Sequence, residues 1–139
     1  MRALVIALLL SASLAAEAEQ MQTFGEYDVH YVVLPTTFLK ADIAARYGLT
    51  RSKNRALVNV SVLDAQDQPV AAEISGRSEN LLGQGQVLAF NEVREGPAIY
   101  YLALLRHGDE EFQRVQLEIE LPNGEAAEIR FQQKMYQDE

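Results

Sequence analysis

The chain has 139 residues, of which 20 are acidic and 12 are Lys or Arg, so its formal net charge is −8. Charge of this sign repels nucleic-acid phosphates and anionic lipid surfaces, so we exclude nucleic acid as an expected partner. Cysteine is absent, which excludes disulfides, a thiol nucleophile, cysteine-ligated metals and a lipid-modified cysteine.

The first 18 residues have the organisation of a secretory signal peptide. Arg2 precedes the apolar run ALVIALLL, and the small-residue segment SASLAAEA follows. The apolar run is shorter than the about 20 residues that a membrane-spanning helix needs, although a retained membrane anchor is the alternative. We expect cleavage after Ala18, with Ala15 as a second candidate, and no membrane span in the mature protein. The prediction is a cleaved signal peptide over residues 1–18 and a periplasmic location.

The segment that follows predicts a strand and then a short helix. EYDVHYVVL is rich in β-branched and aromatic residues, and a proline closes it. The period then changes, because Leu39, Ile43 and Tyr47 recur every four residues and would share one face of a helix. A threonine of the pair Thr36–Thr37 is expected to cap the start of this helix, and Gly48 its end.

Six further strands are predicted along the rest of the chain. RALVNVSVLDA alternates apolar and polar residues, and VAAEISG, VLAFNEV and the apolar AIYYLALL follow. The last two, FQRVQLEIEL and EAAEIRFQQKMY, flank Pro122-Asn123-Gly124, in which Asn-Gly is a strong hairpin signal. The alternation places five residues in the core: Val60, Val115, Leu117, Ile119 and Phe131.

The number and spacing of these segments predict the fold class. About seven strands with turns every eight to twelve residues are typical of an immunoglobulin-like β-sandwich. We therefore predict a mainly β, antiparallel sandwich with one short helix between the first two strands, and a half-open barrel is the alternative. No internal repeat or low-complexity linker is visible, so residues 19–139 are expected to form a single domain.

Residues with catalytic or metal-binding chemistry are sparse in this sequence. The two histidines, His30 and His107, each lack a second histidine two or four residues away. The acidic run Asp109-Glu110-Glu111 lacks the alternating ligands and central glycine of a calcium loop, and we interpret it as a solvated hairpin tip. No glycine-rich phosphate loop and no nucleophile elbow are present. We expect no catalytic residue, no metal and no cofactor, and an enzyme is the less favoured interpretation.

The segment ARYGLTRSKNR is basic although the chain is acidic. It contains Arg46, Arg51, Lys53 and Arg55 within ten residues. One interpretation is a solvated collar, in which Arg46 pairs with Asp42 one helical turn earlier and the other cations face water. The other is that the helix end and the strand approach converge on a pocket for a carboxylate, a phosphate or an acidic peptide.

Three segments carry a family resemblance: FGEYDVHYVVLPTTFL, YGLTRSKNRALVNVSVL and AIYYLALLRH. The first two contain three short motifs. They are the Tyr-x-Val-His-Tyr strand at Tyr27–Tyr31, the Thr-Phe-Leu helix entry at Thr37–Leu39, and the Tyr-Gly-x-x-Arg-Ser-Lys segment at Tyr47–Lys53. From about Phe24 to Tyr136 the chain resembles a family of small exported proteins of Gram-negative bacteria classed as a domain of unknown function. The resemblance implies a periplasmic location and carries no catalytic roles.

These observations favour a non-catalytic binding or interaction module. We predict that its partner is a periplasmic protein or an acidic ligand, recognised by a sheet edge or by the basic segment. The alternative is a small anionic-ligand-binding protein or an enzyme, with a site around His30, Tyr47, Arg51 and Lys53. Arg55 completes the candidate binding residues. The sequence makes no prediction of the oligomeric state.

Overall fold

The computed structural model describes residues 19–137, so the predicted signal peptide lies outside the described residues. The described part contains nine strands: β1 (Gln20–Phe24), β2 (Tyr27–Pro35), β3 (Arg55–Leu63), β4 (Glu73–Asn80), β5 (Gly85–Leu88), β6 (Asn91–Glu95), β7 (Ala98–Arg106), β8 (Glu111–Glu120) and β9 (Ala126–Met135). A 3₁₀ turn (Thr36–Phe38) and the helix α1 (Ala41–Arg46) connect β2 to β3.

The strands form two antiparallel sheets that pack as a sandwich. Sheet A has the order β1-β2-β3-β7-β6, and sheet B has the order β5-β4-β8-β9. The predicted fold class is confirmed, as is the helix between the first two predicted strands. The two separate sheets do not close into a barrel.

The strand count differs from the predicted seven at two places. The segment VLAFNEV divides, because β5 pairs with β4 in sheet B whereas β6 pairs with β7 in sheet A. The chain thus changes sheets between Leu88 and Asn91, a step that alternation alone does not reveal. The additional strand β1 pairs with β2, with Gln20 opposite Tyr31.

The core lies between the sheets and follows the period-two pattern of the strands. Val60, Val115, Leu117 and Ile119 are buried, as predicted. Phe131 is only half-buried, because it lies on the edge strand β9, where its ring packs 5.0 Å from that of Tyr31. At about 25 cal/mol per Å² of apolar surface removed from water, this central layer is the main source of stability.

The β8–β9 hairpin confirms the turn predicted at Asn-Gly. The amide of Gly124 donates to the carbonyl of Leu121, and that of Leu121 donates to the carbonyl of Glu125. Gly124 has φ +87°, a left-handed conformation that glycine adopts without steric penalty. The turn therefore sets the register that places Ile119 opposite Ala127 on the inner face.

No helix in residues 19–137 is long and apolar enough to span a membrane.

Candidate binding surfaces on sheet A

The outer face of sheet A is the surface that the connection from β2 to β3 covers. The helical segment places Leu39, Ile43 and Tyr47 towards the sheet, over Leu57 and Leu102. The apolar residues predicted at a four-residue spacing therefore do share one side of the segment. The first turn of the segment is 3₁₀, and only Ala41–Arg46 is α-helical. Gly48 ends the helix with φ +67°, as predicted.

A cavity of about 200 Å³ remains between this segment and the sheet. We call it the helix cavity. Its walls are mostly apolar, and its lining residues are Leu39, Ile43, Tyr47, Leu49, Leu57, Asn59, Val93, Glu95, Tyr100 and Leu102. Of the predicted site residues, Tyr47 lines the helix cavity, whereas His30, Arg51, Lys53 and Arg55 do not.

Asn59 is the uncharged polar residue among those that line the helix cavity. It lies on β3 between Val32 of β2 and Leu102 of β7. Its Oδ1 atom is buried and has no hydrogen-bond partner. A buried acceptor without a partner costs about 1–3 kcal/mol of stability. Sequence reasoning missed Asn59, although a polar residue in phase with Leu57 on a covered strand face was a usable signal.

An ion pair lies beside the helix cavity. Arg46 Nη1 lies 3.1 Å from Glu95 Oε2 on β6, and the Arg46 guanidinium also stands 5.7 Å from the centre of the Tyr47 ring. Arg46 therefore pairs with Glu95 and not, as expected, with Asp42. The pairing joins the end of α1 to the edge of sheet A, and its solvent exposure keeps its energy small.

The loop between α1 and β3 is held in place by Thr36. This side chain is fully buried. Its hydroxyl lies 2.8 Å from the carbonyl oxygens of both Ser52 and Arg55 and accepts a hydrogen bond from the Ser52 amide at 2.9 Å. Thr36 does not cap α1, whose N-terminal flanking residue is Lys40. The predicted capping role is wrong because the hydroxyl bonds to the distant loop instead.

Arg51, Lys53 and Arg55 lie at one end of sheet A, where a fourth cation joins them. Arg51 is exposed, and its Nη2 donates to the carbonyl of Thr37 at 3.2 Å. Lys53 is exposed in the same loop. Arg55 begins β3 and lies directly opposite Arg106, the last residue of β7. We call these four residues, Arg51, Lys53, Arg55 and Arg106, the basic end.

Arg106 itself is fixed by a side chain from sheet B. Its amide donates to Gln86 Oε1 at 2.9 Å, and Gln86 Nε2 donates to its carbonyl at 2.7 Å. Two like charges directly opposite on neighbouring strands are destabilising, and neither Arg55 nor Arg106 forms an ion pair within residues 19–137. Sequence reasoning missed Arg106, because its position beside Arg55 depends on the register of β3 and β7.

His30 lies apart from both surfaces. It occupies the middle of β2 on the outer face of sheet A, opposite Met21 of β1, and its Nδ1 is 3.8 Å from Glu19 Oε2. The structure therefore separates His30 from the basic end and from Tyr47. The prediction that these residues form one site stays a prediction.

Glu111, the last residue of the acidic run Asp109-Glu110-Glu111, is hydrogen-bonded within the chain and is not part of a solvated hairpin tip, as was expected. Glu111 Oε1 accepts hydrogen bonds from the Gly108 amide and from Gln113 Nε2, and Oε2 accepts one from Asn80 Nδ2. Burial alone would raise the pKa of Glu111, but these three donors and the nearby His107 hold its pKa below the usual value. Glu111 is therefore a structural anion that orders the neighbouring turns.

Metal-binding side chains are not grouped in the described residues. No cluster of three or more His, Cys, Asp or Glu side chains that could hold an ion occurs within residues 19–137.

Comparison with known proteins identifies structural relatives across most of the chain. A DUF4426 family protein from Pseudomonas aeruginosa PAO1 is 34% identical, with a TM-score of 0.78 over 87% of this chain and 97% of its own. FetP from uropathogenic E. coli strain F11, recombinantly expressed in the periplasm of E. coli, is 16% identical, with a TM-score of 0.64 over 86% of this chain and 95% of its own.

A copper-bound variant of FetP is 15% identical, with a TM-score of 0.63 over 86% of this chain and 95% of its own. At these identities the two FetP structures show a shared fold. No curated protein matches the sequence. The model of a domain of unknown function, DUF4426, matches residues 21–138, and the chain belongs to that family.

Proposed function

We propose that this protein is an exported, non-catalytic binding module that recognises a negatively charged partner at its basic end. The observation that carries the proposal is the direct opposition of Arg55 and Arg106 beside the loop that carries Arg51 and Lys53. An acidic partner would relieve the repulsion between the two arginines and form charge-assisted hydrogen bonds with them.

The rigidity of the basic end supports this proposal. Thr36 holds the backbone at Ser52 and Arg55, and Gln86 holds the backbone of Arg106. Cations on a fixed backbone lose less conformational entropy on binding than cations on a mobile loop. An acidic peptide segment fits the open, exposed arrangement, because Arg51, Lys53 and Arg106 face solvent.

The binding test uses hexaglutamate as a probe, with hexaglutamine as the uncharged reference. Wild-type protein should bind hexaglutamate at low salt, and binding should weaken towards about 0.15 M salt as exposed charges are screened. The double variant Arg51→Glu/Lys53→Glu should bind about tenfold more weakly or worse, because each lost charge-assisted hydrogen bond is worth about 1.5–3 kcal/mol.

The matched control is Arg77→Glu/Arg130→Glu, which changes the net charge by the same amount on exposed positions of sheet B. It should retain hexaglutamate affinity within about threefold, since neither arginine belongs to the basic end and exposed charges are screened over roughly 8–10 Å. Equal weakening by both double variants would mean that only the net charge matters. That result, or wild-type protein that does not distinguish the two peptides, would overturn the proposal.

Export is a separate part of the proposal and has its own test. Mass spectrometry of protein from the native host should find an N-terminus between Ala16 and Glu19, because the small residues there fit signal-peptide cleavage. A mature chain that still begins at Met1 would contradict export.

Copper binding, which is named for the FetP variant, is not part of the proposed function. His30 lies on β2 and His107 follows β7, and the described residues contain no group of three potential His, Cys, Asp or Glu ligands. The side chains of residues 19–137 therefore do not fit a metal site built from these ligands.

A further inference from the structure

Phe38 is a large apolar side chain that lies in solvent beside the basic end. It is 65% exposed, whereas the next residue, Leu39, lines the helix cavity. Single apolar residues are common on protein surfaces, so exposure alone assigns no role to Phe38. What distinguishes it is the way in which its turn is joined to the loop that carries the cations.

Arg51 connects the basic end to the turn that carries Phe38. Its Nη2 atom donates a hydrogen bond to the carbonyl oxygen of Thr37, at 3.2 Å. Thr37 directly precedes Phe38 in the chain, so the guanidinium group is held one residue away from the Phe38 backbone. A peptide that places a carboxylate on Arg51 therefore has Phe38 within reach of a neighbouring side chain.

The backbone on both sides of this contact is fixed. The Leu39 amide donates to the carbonyl of Thr36 at 3.1 Å and closes the 3₁₀ turn. The Thr36 hydroxyl bonds to the backbone of Ser52 and Arg55, which ties the turn to the cationic loop. An aromatic side chain on a fixed backbone has only its two side-chain torsions to order, so covering it costs little conformational entropy.

The combination of an exposed ring with cations limits what the acidic partner can be. A partner made only of carboxylates would pair with the cations and leave the Phe38 ring in water. A partner that also carries a large apolar side chain would remove apolar surface from water on both molecules, which is favourable in proportion to the area covered. Phenylalanine and arginine are both enriched in protein interfaces.

We infer that Phe38 is an apolar contact residue of the basic end, and that the partner is an acidic peptide segment with a large apolar side chain among its carboxylates. This inference rests on the proposed function and adds an apolar component to it. Arg51 receives a carboxylate of the segment, and the ring of Phe38 packs against its apolar side chain.

The test compares two hexapeptides of equal charge, Glu-Glu-Glu-Phe-Glu-Glu and Glu-Glu-Glu-Ala-Glu-Glu, by isothermal titration calorimetry at low salt. Wild-type protein should bind the phenylalanine peptide about fivefold or more tightly than the alanine peptide, because only the former can cover the Phe38 ring with an aromatic side chain. In Phe38→Ala this preference should fall below about twofold, and the affinity for the alanine peptide should stay within about twofold of wild type.

Two further variants serve as controls. Leu82→Ala removes a side chain that is 84% exposed on the turn between β4 and β5, outside the basic end, and should leave the preference unchanged. Phe38→Tyr keeps the ring and should keep the preference. All three variants should unfold at nearly the wild-type temperature, because exposed side chains contribute little to stability.

The outcomes separate this inference from the proposed function. If the alanine peptide binds more tightly than hexaglutamine but wild-type protein does not prefer the phenylalanine peptide, only the inference is overturned. A preference that survives Phe38→Ala, or that falls equally in Leu82→Ala, would also overturn it, because the apolar contact would then lie elsewhere. If neither acidic peptide binds, the proposed function fails and the inference fails with it.

Discussion

The two outer faces of the sandwich differ in how their polar groups are satisfied. On sheet B, Arg130 Nη2 lies 2.9 Å from Glu128 Oε2, and Gln116 Nε2 donates to the same oxygen at 2.7 Å. On sheet A, Arg55 and Arg106 oppose each other and Asn59 keeps an unpartnered acceptor. Sheet B thus pairs Arg114 and Arg130 within the chain, although Glu73 lies opposite Glu120 and Glu118 opposite Glu128. On sheet A the opposed cations Arg55 and Arg106 form no ion pair within the described residues.

Groove size alone would favour the outer face of sheet B. Two larger grooves, of about 410 and 380 Å³, lie over sheet B. The larger is lined by Arg77, Glu79, Arg114 and Arg130 among others, and Arg114 lies 3.7 Å from Glu79. The smaller cavity on sheet A differs from both, because its walls are mainly apolar.

The largest expected effect separates the core from the outer face of sheet B. Ile119→Ala should lower the free energy of unfolding by about 2–5 kcal/mol, because Ile119 is almost fully buried and its truncation leaves a cavity. The neighbouring Glu118→Ala, on the exposed face, should change it by less than about 0.5 kcal/mol. Urea unfolding of both variants checks this. Equal losses of stability would mean that Ile119 does not lie on the buried face of sheet B.

The next effect concerns the support of the basic end. Thr36→Val should destabilise by about 1–3 kcal/mol, because the Ser52 amide loses its acceptor and the carbonyls of Ser52 and Arg55 lose the one hydroxyl proton that they share. It should also weaken hexaglutamate binding, since the loop that carries the cations loses its attachment.

Thr37→Val is the matched control for this change, because no hydrogen bond of the Thr37 hydroxyl supports the loop. Thermal unfolding and hexaglutamate titration of both variants would show the difference. If Thr37→Val proved as damaging as Thr36→Val, the loop would not depend on the Thr36 hydroxyl.

A gain in stability is expected at Asn59. Asn59→Leu should raise the free energy of unfolding by about 1 kcal/mol, because it removes an unsatisfied buried acceptor from apolar surroundings. In a domain of this size the melting temperature would rise by about 4 °C. Asn91→Leu, on the exposed edge strand β6, should change stability by less than about 0.5 kcal/mol. A loss of stability in Asn59→Leu would show that the acceptor is satisfied in solution.

The smallest effect tests the repulsion at the basic end. Arg106→Gln should stabilise by about 0.2–1 kcal/mol at low salt, since it removes one of two directly opposed like charges. The gain should shrink as salt screens the pair. Arg130→Gln on sheet B should instead be neutral or slightly destabilising, because it removes an exposed ion pair. Chemical unfolding at two salt concentrations distinguishes the variants, and the same sign for both would remove the contrast between the faces.

Local patterns in the sequence predicted most of the fold. Period-two alternation identified the buried faces of β3 and β8, and Asn-Gly located the β8–β9 turn, because both signals depend only on neighbouring residues. The change of sheet between Leu88 and Asn91 was missed, since a strand of either sheet alternates in the same way.

The candidate surfaces were predicted less completely, because they depend on contacts between distant residues. Arg51, Lys53 and Arg55 were recognisable as a basic cluster, but Arg106 joins them through strand register. Thr36 has the residue type of a helix cap, yet tertiary hydrogen bonds to residues 16 and 19 positions later determine its role. Local propensity is easily overridden by such bonds.

The attachment of the chain at Thr36 also has a consequence for motion. Residues 37–54 form an excursion whose two ends are fixed at the sheet, by Thr36 on one side and by the start of β3 on the other. The helix within this segment, α1, spans only six residues. Segments with few buried contacts open in local events that leave the rest of the protein folded. We therefore expect the amide hydrogens of α1 to exchange with solvent faster than those of β3, whereas the Ser52 amide, which donates to Thr36, stays protected.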